Sequence, residues 1–112
     1  MQAGWLKHRI TIQSFTQSQD ESGEQVEKWR NHATMWASIE PLRGRAFIEA
    51  RGEHADVTTK IRLRFRRDIT VDMRVLWMDE AQQKHIYELV APPIHRLEMR
   101  RETELMCREV VA

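Results

Sequence analysis

The chain is poor in the residues that crosslink small proteins and in the long apolar runs that enter membranes. Cys107 is the single cysteine among 112 residues, so no disulfide can form within the chain, and the cysteine pairs of structural zinc sites are missing. A reducing cytoplasm is therefore expected. No apolar run follows a basic start, and nowhere do roughly eighteen apolar residues follow one another. Secretion and a membrane partner are both disfavoured.

The sequence also has few of the patterns that carry catalysis. Its five histidines are scattered, and there is neither a glycine-rich phosphate loop nor a nucleophile elbow. The acidic pairs Asp20–Glu21 and Asp79–Glu80 stand in polar, turn-like surroundings where a solvated turn is expected. Cys107 sits in an alternating strand pattern with no histidine partner, which favours a small semi-buried thiol. We expect no enzyme activity, no metal and no cofactor.

Length and charge set the remaining limits. With 112 residues, 41% of them hydrophobic, we expect one domain that spans residues 1–112 around one core. The net charge of +1 conceals a segregation along the chain. Residues 16–27 carry four acids and no base, whereas residues 41–67 carry eight bases and three acids. Such a chain has little net repulsion between copies, which permits self-association.

Alternation of apolar and polar residues predicts a mainly β protein. The predicted strands are 6–14, 34–40, 56–67, 73–78, 85–90 and 102–110, with "RNHA" as a bulge or loop and "APPIHRLEMR" as a break in pairing. Pro41 and Gly52 bracket one short amphipathic helix, and the polar residues 16–27 form a long acidic loop or the tip of a long hairpin. The expected fold is a small six-stranded antiparallel β-barrel with one short helix and a long acidic loop.

The stretch "KIRLRFRR" combines strand alternation with strong positive charge. Ile61, Leu63 and Phe65 fall on one face of a strand, which leaves the basic residues on the other. That basic face fits a solvated surface, contact with nucleic-acid phosphates, or contact with the acidic loop of a neighbouring copy in a head-to-tail ring. Aromatic rings for base stacking are missing from this face, which disfavours single-strand recognition.

The four tryptophans divide into two pairs. Trp36 and Trp77 lie within predicted strands, where core packing is favoured. Trp5 and Trp29 flank polar segments, and both a core position and an interface anchor fit them.

The ordered segments resemble a known family. "LKHRITIQ", an acidic loop with a glycine, "TMWASIEPLRGRAF", "DVTTKIRLRFRRDITVDMRVLW", "IYELV" and "ELMCREV" together resemble the head–tail joining, or head-completion, proteins of tailed bacteriophages and prophages. The match covers nearly the whole chain, and its specificity lies in the order and spacing of the segments. The double proline of "APPIHRLEMRRE" departs from the family pattern.

The resemblance implies a non-enzymatic connector, or stopper, in the virion neck, made in the host cytoplasm. Its subunits would form a homo-oligomeric ring, dodecameric in the virion, with the isolated protein as a monomer in one alternative. The implied partners are the portal and its adaptor above, tail-terminator or tail proteins below, and packaged double-stranded DNA in the channel. A loop would project into that channel, either the acidic segment 16–27 or the connection 43–55.

Two other functions remain alternatives. One is a tail-terminator or other tail-tube component, and the other is a non-specific nucleic-acid-binding β-barrel, for which the basic strand is the supporting feature. The residues expected at an interface or at the DNA channel are Arg62, Arg64, Arg66, Asp20, Glu21, Glu24, Trp5, Trp29, Arg43 and Arg45.

Overall fold

The computed structural model describes residues 6–53, 56–98 and 101–110, and within them it contains seven strands and one helix. In chain order these are β1 (His8–Gln19), β2 (Gln25–Pro41), α1 (Gly44–Glu53), β3 (Thr59–Arg64), β4 (Arg74–Met78), β5 (Lys84–Leu89), β6 (Ile94–Arg96) and β7 (Glu102–Val110).

The strands form one antiparallel sheet that closes on itself. Their order is β3-β2-β1-β4-β5-β7-β6, and β3 pairs additionally with β7. That pairing joins the two ends, so β3, β2, β1, β4, β5 and β7 form a closed ring of six strands. Closure removes the exposed edges that a short open sheet would present. The predicted fold class is confirmed.

Strand β6 lies outside the ring of six and continues β5 along β7. Leu89 at the end of β5 lies opposite Cys107, and Ile94 at the start of β6 lies opposite Glu104, so both segments pair with the same side of β7. Pro92 and Pro93 lie between the two segments and cannot donate to the ladder. The prolines do interrupt the pairing, but the prediction of no strand in "APPIHRLEMR" is wrong, because pairing resumes at Ile94.

Apolar residues at alternate strand positions fill the interior. The alternation predicted for the basic strand is correct for Ile61 and Leu63, which are 0% and 1% exposed. Phe65 lies beyond the end of β3 and is only partly buried, with its ring edge-on to His95 at 5.1 Å. The hydrophobic core contains Ile10, Ile12, Ala37, Ile61, Leu63, Ile69, Val75, Tyr87, Leu89, Leu105 and Cys107.

The segment predicted as a long acidic loop is mostly strand. The β1–β2 ladder continues to the pair Gln19 and Gln25, so only residues 20–24 form the turn, and the hairpin alternative is the correct one. We call residues 14–30 the hairpin arm. The register shifts after Ile12, where His32 is the extra residue on β2, so "RNHA" is a bulge within a continuous strand. Because both faces of the arm carry polar residues and neither packs on the core, its sequence lacks the alternation that predicts a strand.

Other predicted boundaries also differ from the structure. Pro41 ends β2 and does not begin the helix, and Gly52 lies inside α1 without a left-handed conformation. Gly44, at the helix start, has the positive φ of 57° instead. The basic strand is shorter than predicted, since β3 covers Thr59–Arg64. No helix among the described residues is long and apolar enough to cross a membrane.

Candidate assembly surface

The outward face of β3 carries the basic residues, and the strands on both sides of it supply acids. Glu40 of β2 lies opposite Lys60, and Glu104 of β7 lies opposite Arg62. The Arg62 guanidinium donates to Glu40 Oε1 in an ion pair. Opposite charges on adjacent strands stabilise a sheet. Much of the positive charge is therefore balanced within the chain.

Glu104 is the most buried carboxylate of this face. Its side chain is 6% exposed, and Arg96 Nε donates to its Oε2 at 2.7 Å. Lys60 Nζ lies 3.6 Å from its other oxygen. A buried carboxylate is tolerated when cations and hydrogen bonds compensate for lost water. Glu104 therefore connects β3, β6 and β7 through charge.

Arg66 belongs to a second ion-pair network. Its guanidinium donates to both carboxylate oxygens of Asp68, with Nε at 2.9 Å and Nη2 at 2.6 Å. His32 Nε2 lies 2.8 Å from Asp68 Oδ2. The hydrogen bond from Arg66, followed by the one from His32, holds the pKa of Asp68 well below its usual range, and the same carboxylate raises the pKa of Arg66. The network links the β2 bulge to the loop after β3.

Arg64 differs from its neighbours on the strand. It is exposed and forms no ion pair with any residue that the structure describes. Trp36 is 50% exposed beside it, with the Arg9 guanidinium 5.4 Å from its ring centre. The core position predicted for Trp36 is therefore wrong, whereas Trp77 does pack partly buried against the core. A cleft of about 350 Å³ is lined by Leu6, Met35, Trp36, Arg64, Phe65 and Arg66; we call it the Arg64 cleft.

The hairpin arm is anchored where it leaves the closed sheet. Phe15 and Trp29 meet edge to face at 5.1 Å, and the Arg74 guanidinium lies 4.1 Å from the Trp29 ring centre. Arg74 Nε also donates to Gln13 at 2.8 Å. Burial lowers the pKa of Arg74, although the nearby carboxylate of Glu88 opposes this shift. Trp29 thus supports the base of the arm through a cation–π contact.

The acids at the tip of the arm have different roles. Asp20 Oδ1 accepts hydrogen bonds from the Ser22 backbone and hydroxyl and from the Glu24 backbone N–H, which holds the pKa of Asp20 below its usual value. Gly23, with φ of 86°, completes the turn. Asp20 therefore shapes the turn. Glu21 and Glu24 are exposed and form no ion pair among the described residues.

Helix α1 lies on the surface. Arg43 and Arg45 are exposed, and Arg45 makes only an exposed contact of 3.5 Å with Glu49 one turn later. Ile48 is 72% exposed, so the helix presents an apolar side chain to solvent. Such a segment gains little from tertiary packing.

Sequence analysis missed a cluster around His85. Its Nε2 lies 2.8 Å from Asp79 and its Nδ1 lies 2.8 Å from Glu109, while its ring stacks on Trp77 at 4.9 Å. The bond to Asp79, then that to Glu109, raises the pKa of His85. Asp79 and Glu80 do lie in a turn, as predicted, but Asp79 binds His85 in addition to the turn backbone, whereas Glu80 is exposed. In the part of the chain described, no three metal-ligating side chains are arranged to hold an ion.

Comparison with known proteins identifies the family. A family model for phage head completion proteins matches residues 1–110. The chain belongs to this family. Head completion protein gp7 of Enterobacteria phage HK97 is 26% identical over 108 residues, which cover 96% of each protein. The assignment confirms the resemblance found in the sequence and gives the chain a structural role in completing a phage head.

Two solved structures share the fold of this head completion protein. A protein of Shigella flexneri 2a, solved in solution, has a TM-score of 0.78 at 31% identity, covering 97% of this chain and 96% of that one. A chain from the virion of a native gene transfer agent particle has a TM-score of 0.56 at 16% identity, covering 96% and 97% respectively. The second similarity concerns the fold alone.

The residues predicted for assembly fall into separate groups on this head completion protein. Arg62, Arg64 and Arg66 follow one another along β3 and just beyond it, Arg43 and Arg45 flank the start of α1, and Trp5 lies outside the described residues. Asp20, Glu21 and Glu24 lie at the tip of the arm. Sequence reasoning missed Glu40, Glu104 and Asp68, the acids that pair with the basic face. Only strand register would have revealed the first two, because they are far from β3 in sequence.

Proposed function

We propose that this head completion protein acts as a stopper in the virion neck. Its copies form a ring beneath the portal and adaptor, retain packaged DNA, and present the surface on which the tail docks. The match of the family model across residues 1–110 carries this proposal. The fold shared with a chain of a gene transfer agent virion supports it.

Charge favours the segment after β2 as the part that faces DNA in such a ring. Arg43, Arg45 and Arg51 are exposed there, and cations are attracted to phosphates. The acidic tip of the hairpin arm would repel DNA, so it is better suited to a protein partner. Exposed α1, with Ile48 in solvent, has little packing to hold it in place in a single subunit.

Binding of DNA by the single subunit has weaker support. A protein that grips DNA needs cations whose charge is available for phosphates. On β3 and just beyond it, Lys60, Arg62 and Arg66 all pair with carboxylates of the same chain. Basic side chains that are already paired with carboxylates release fewer counterions when they meet DNA, so we expect the isolated protein to bind DNA only weakly and in a salt-sensitive way.

Imaging of particles made without this chain tests the proposal. In the phage genome that encodes it, deletion of the gene should yield heads that are filled or leaking but carry no tails under negative stain. Expression of the wild-type chain from a plasmid should restore tailed particles. Normally tailed particles in the deletion strain would contradict the stopper assignment.

A further inference from the structure

Arg64 differs from Arg62 and Arg66 because its side chain is exposed and lines the Arg64 cleft. Arg62 on β3 and Arg66 just beyond the strand engage acids of their own chain, but Arg64 forms no ion pair with a described residue. Glu102, its partner in the β3–β7 ladder, is 7% exposed, and the two side chains form no ion pair. The guanidinium is therefore available to an acid from outside the chain.

The walls of the Arg64 cleft suit a carboxylate on a short aliphatic stem. Trp36 offers a broad apolar ring that is half exposed, and Met35 and Leu6 add further apolar surface. Arg64 supplies the positive charge of the cleft, whereas Arg66, which also lines it, is already paired with Asp68. An arginine fork can hold a carboxylate through two hydrogen bonds, and an adjacent apolar wall shields such a pair from water.

The acids that match this cleft lie on the hairpin arm. Glu21 and Glu24 are exposed at the tip and unpaired among the described residues, whereas Asp20 is engaged in the turn. The tip of the same chain cannot reach its own cleft. About eleven β2 residues separate Gln25 from Trp36, which at about 3.3 Å per residue is a distance of about 36 Å along a continuous ladder.

We propose that Glu21 and Glu24 of one copy bind in the Arg64 cleft of the next copy around the ring. The contact is head to tail, because different surfaces of the two copies meet, and repeated contacts of this kind give a ring when the rotation between copies closes. The inference rests on the proposed ring and narrows its interface. Of the three arginines expected at an interface or at the DNA channel, it assigns the contact to Arg64.

Disulfide trapping in assembled particles tests the contact without changing its charges. Gln25→Cys stands beside Glu24, and Thr34→Cys is exposed two residues from Trp36 on β2. The natural Cys107 is 0% exposed, and burial raises the pKa of its thiol, so it should not react. The matched control combines Gln25→Cys with Gln83→Cys, which is exposed in the turn between β4 and β5. Tailed particles carrying each pair are oxidised mildly and run on gels without reductant.

The first pair should give reductant-sensitive multimers of this chain, and the control pair should not. Tailed particles with equal or no multimers from both pairs would overturn the contact while leaving the ring intact. Crosslinks from Gln25→Cys to a different protein would also contradict the proposed contact, because they would show that the tip of the arm binds another protein. Failure of the stopper assignment is distinguished by the deletion strain, which would then carry tails.

Charge exchange provides a second test that needs no cysteine. Arg64→Glu should lower the yield of tailed particles by about tenfold or more, because it replaces attraction with repulsion at each contact. Adding Glu21→Lys and Glu24→Lys to that variant should restore the yield. Lys84→Glu, an exposed reversal on β5, is the control and should have no effect. A normal yield from Arg64→Glu, or no rescue by the exchange, would refute the proposal.

Discussion

Truncation of Leu105 should weaken the seam that closes the sheet. Leu105 on β7 is 0% exposed and lies opposite Ile61 on β3, at the pairing that joins the two ends of the sheet. Leu105→Ala removes about three methylene equivalents, worth about 2.4 kcal/mol of transfer free energy. The cavity left behind adds to this loss, so the free energy of unfolding should fall by about 3–5 kcal/mol.

Urea unfolding followed by tryptophan fluorescence measures this loss, since the chain has four tryptophans. With a slope of about 2 kcal/mol per molar, the midpoint should fall by about 1.5–2.5 M. Ile48→Ala is the matched control. Ile48 is 72% exposed on α1, so its truncation should change stability by less than about 0.5 kcal/mol.

Combining Leu105→Ala with Ile61→Val tests the seam itself. If the two side chains pack across it, their effects should be non-additive by about 0.5 kcal/mol or more. A loss below about 1 kcal/mol for Leu105→Ala, together with additivity, would refute the reasoning, because a buried leucine at a closed seam cannot be that dispensable. The sheet would then be open at β3, and the basic face would lose its acidic neighbour on β7.

Three further changes probe the networks and the helix. Hydrogen bonds from Arg66 lower the pKa of Asp68 below its ordinary 3.8, so they stabilise the folded protein above about pH 4, and this stabilisation is lost as the pH falls. Asp68→Asn should therefore flatten the acid side of a plot of melting temperature against pH. The raised pKa of His85 acts in the opposite sense: protonated His85 stabilises the fold below its ordinary pKa of 6.5, and this stabilisation is lost as the pH rises. His85→Gln should therefore remove the fall in melting temperature on the alkaline side. In calorimetry, Gly44→Ala should destabilise the protein by about 1 kcal/mol, because φ is positive at Gly44. Gly52 lies inside α1 with an ordinary φ and open space around it, so Gly52→Ala should stabilise the protein by about 0.5–1 kcal/mol.

Strands with one buried face could be predicted from the sequence. The hairpin of β4 and β5 was predicted in this way, and both ends of β7, Glu102 and Val110, were also predicted, although residues 102–107 of that strand are buried on both faces. For the hairpin arm the sequence left a loop and a long hairpin open, because backbone hydrogen bonds alone do not impose an alternating pattern on a largely polar strand pair. Strand β6 was hidden by the prolines before it.

The candidate site was predictable in composition but not in pairing. The basic face of β3 was recognised, and so were the acids of the arm. One of the three explanations given for the basic face was contact with the acidic segment of a neighbouring copy, because these are the two charged blocks of the chain. Within one folded copy, strand register brings Glu40 and Glu104 beside β3, and a local turn brings Asp68 to Arg66. Charges that are separated along the sequence are therefore mixed on the surface of the folded protein.

The strength of each contact limits how a ring of these subunits can form. An exposed ion pair contributes about 0.2–1 kcal/mol, and a hydrogen bond to a charged group about 1.5–3 kcal/mol, so one Arg64 contact cannot hold two isolated copies together at ordinary concentrations. A ring of the adaptor that already presents several docking sites would raise the effective concentration of neighbouring subunits. We therefore expect the isolated chain to remain monomeric and to close its ring on that template. Salt should weaken this closure, since the carboxylates at the tip of the arm are exposed to screening before they are bound.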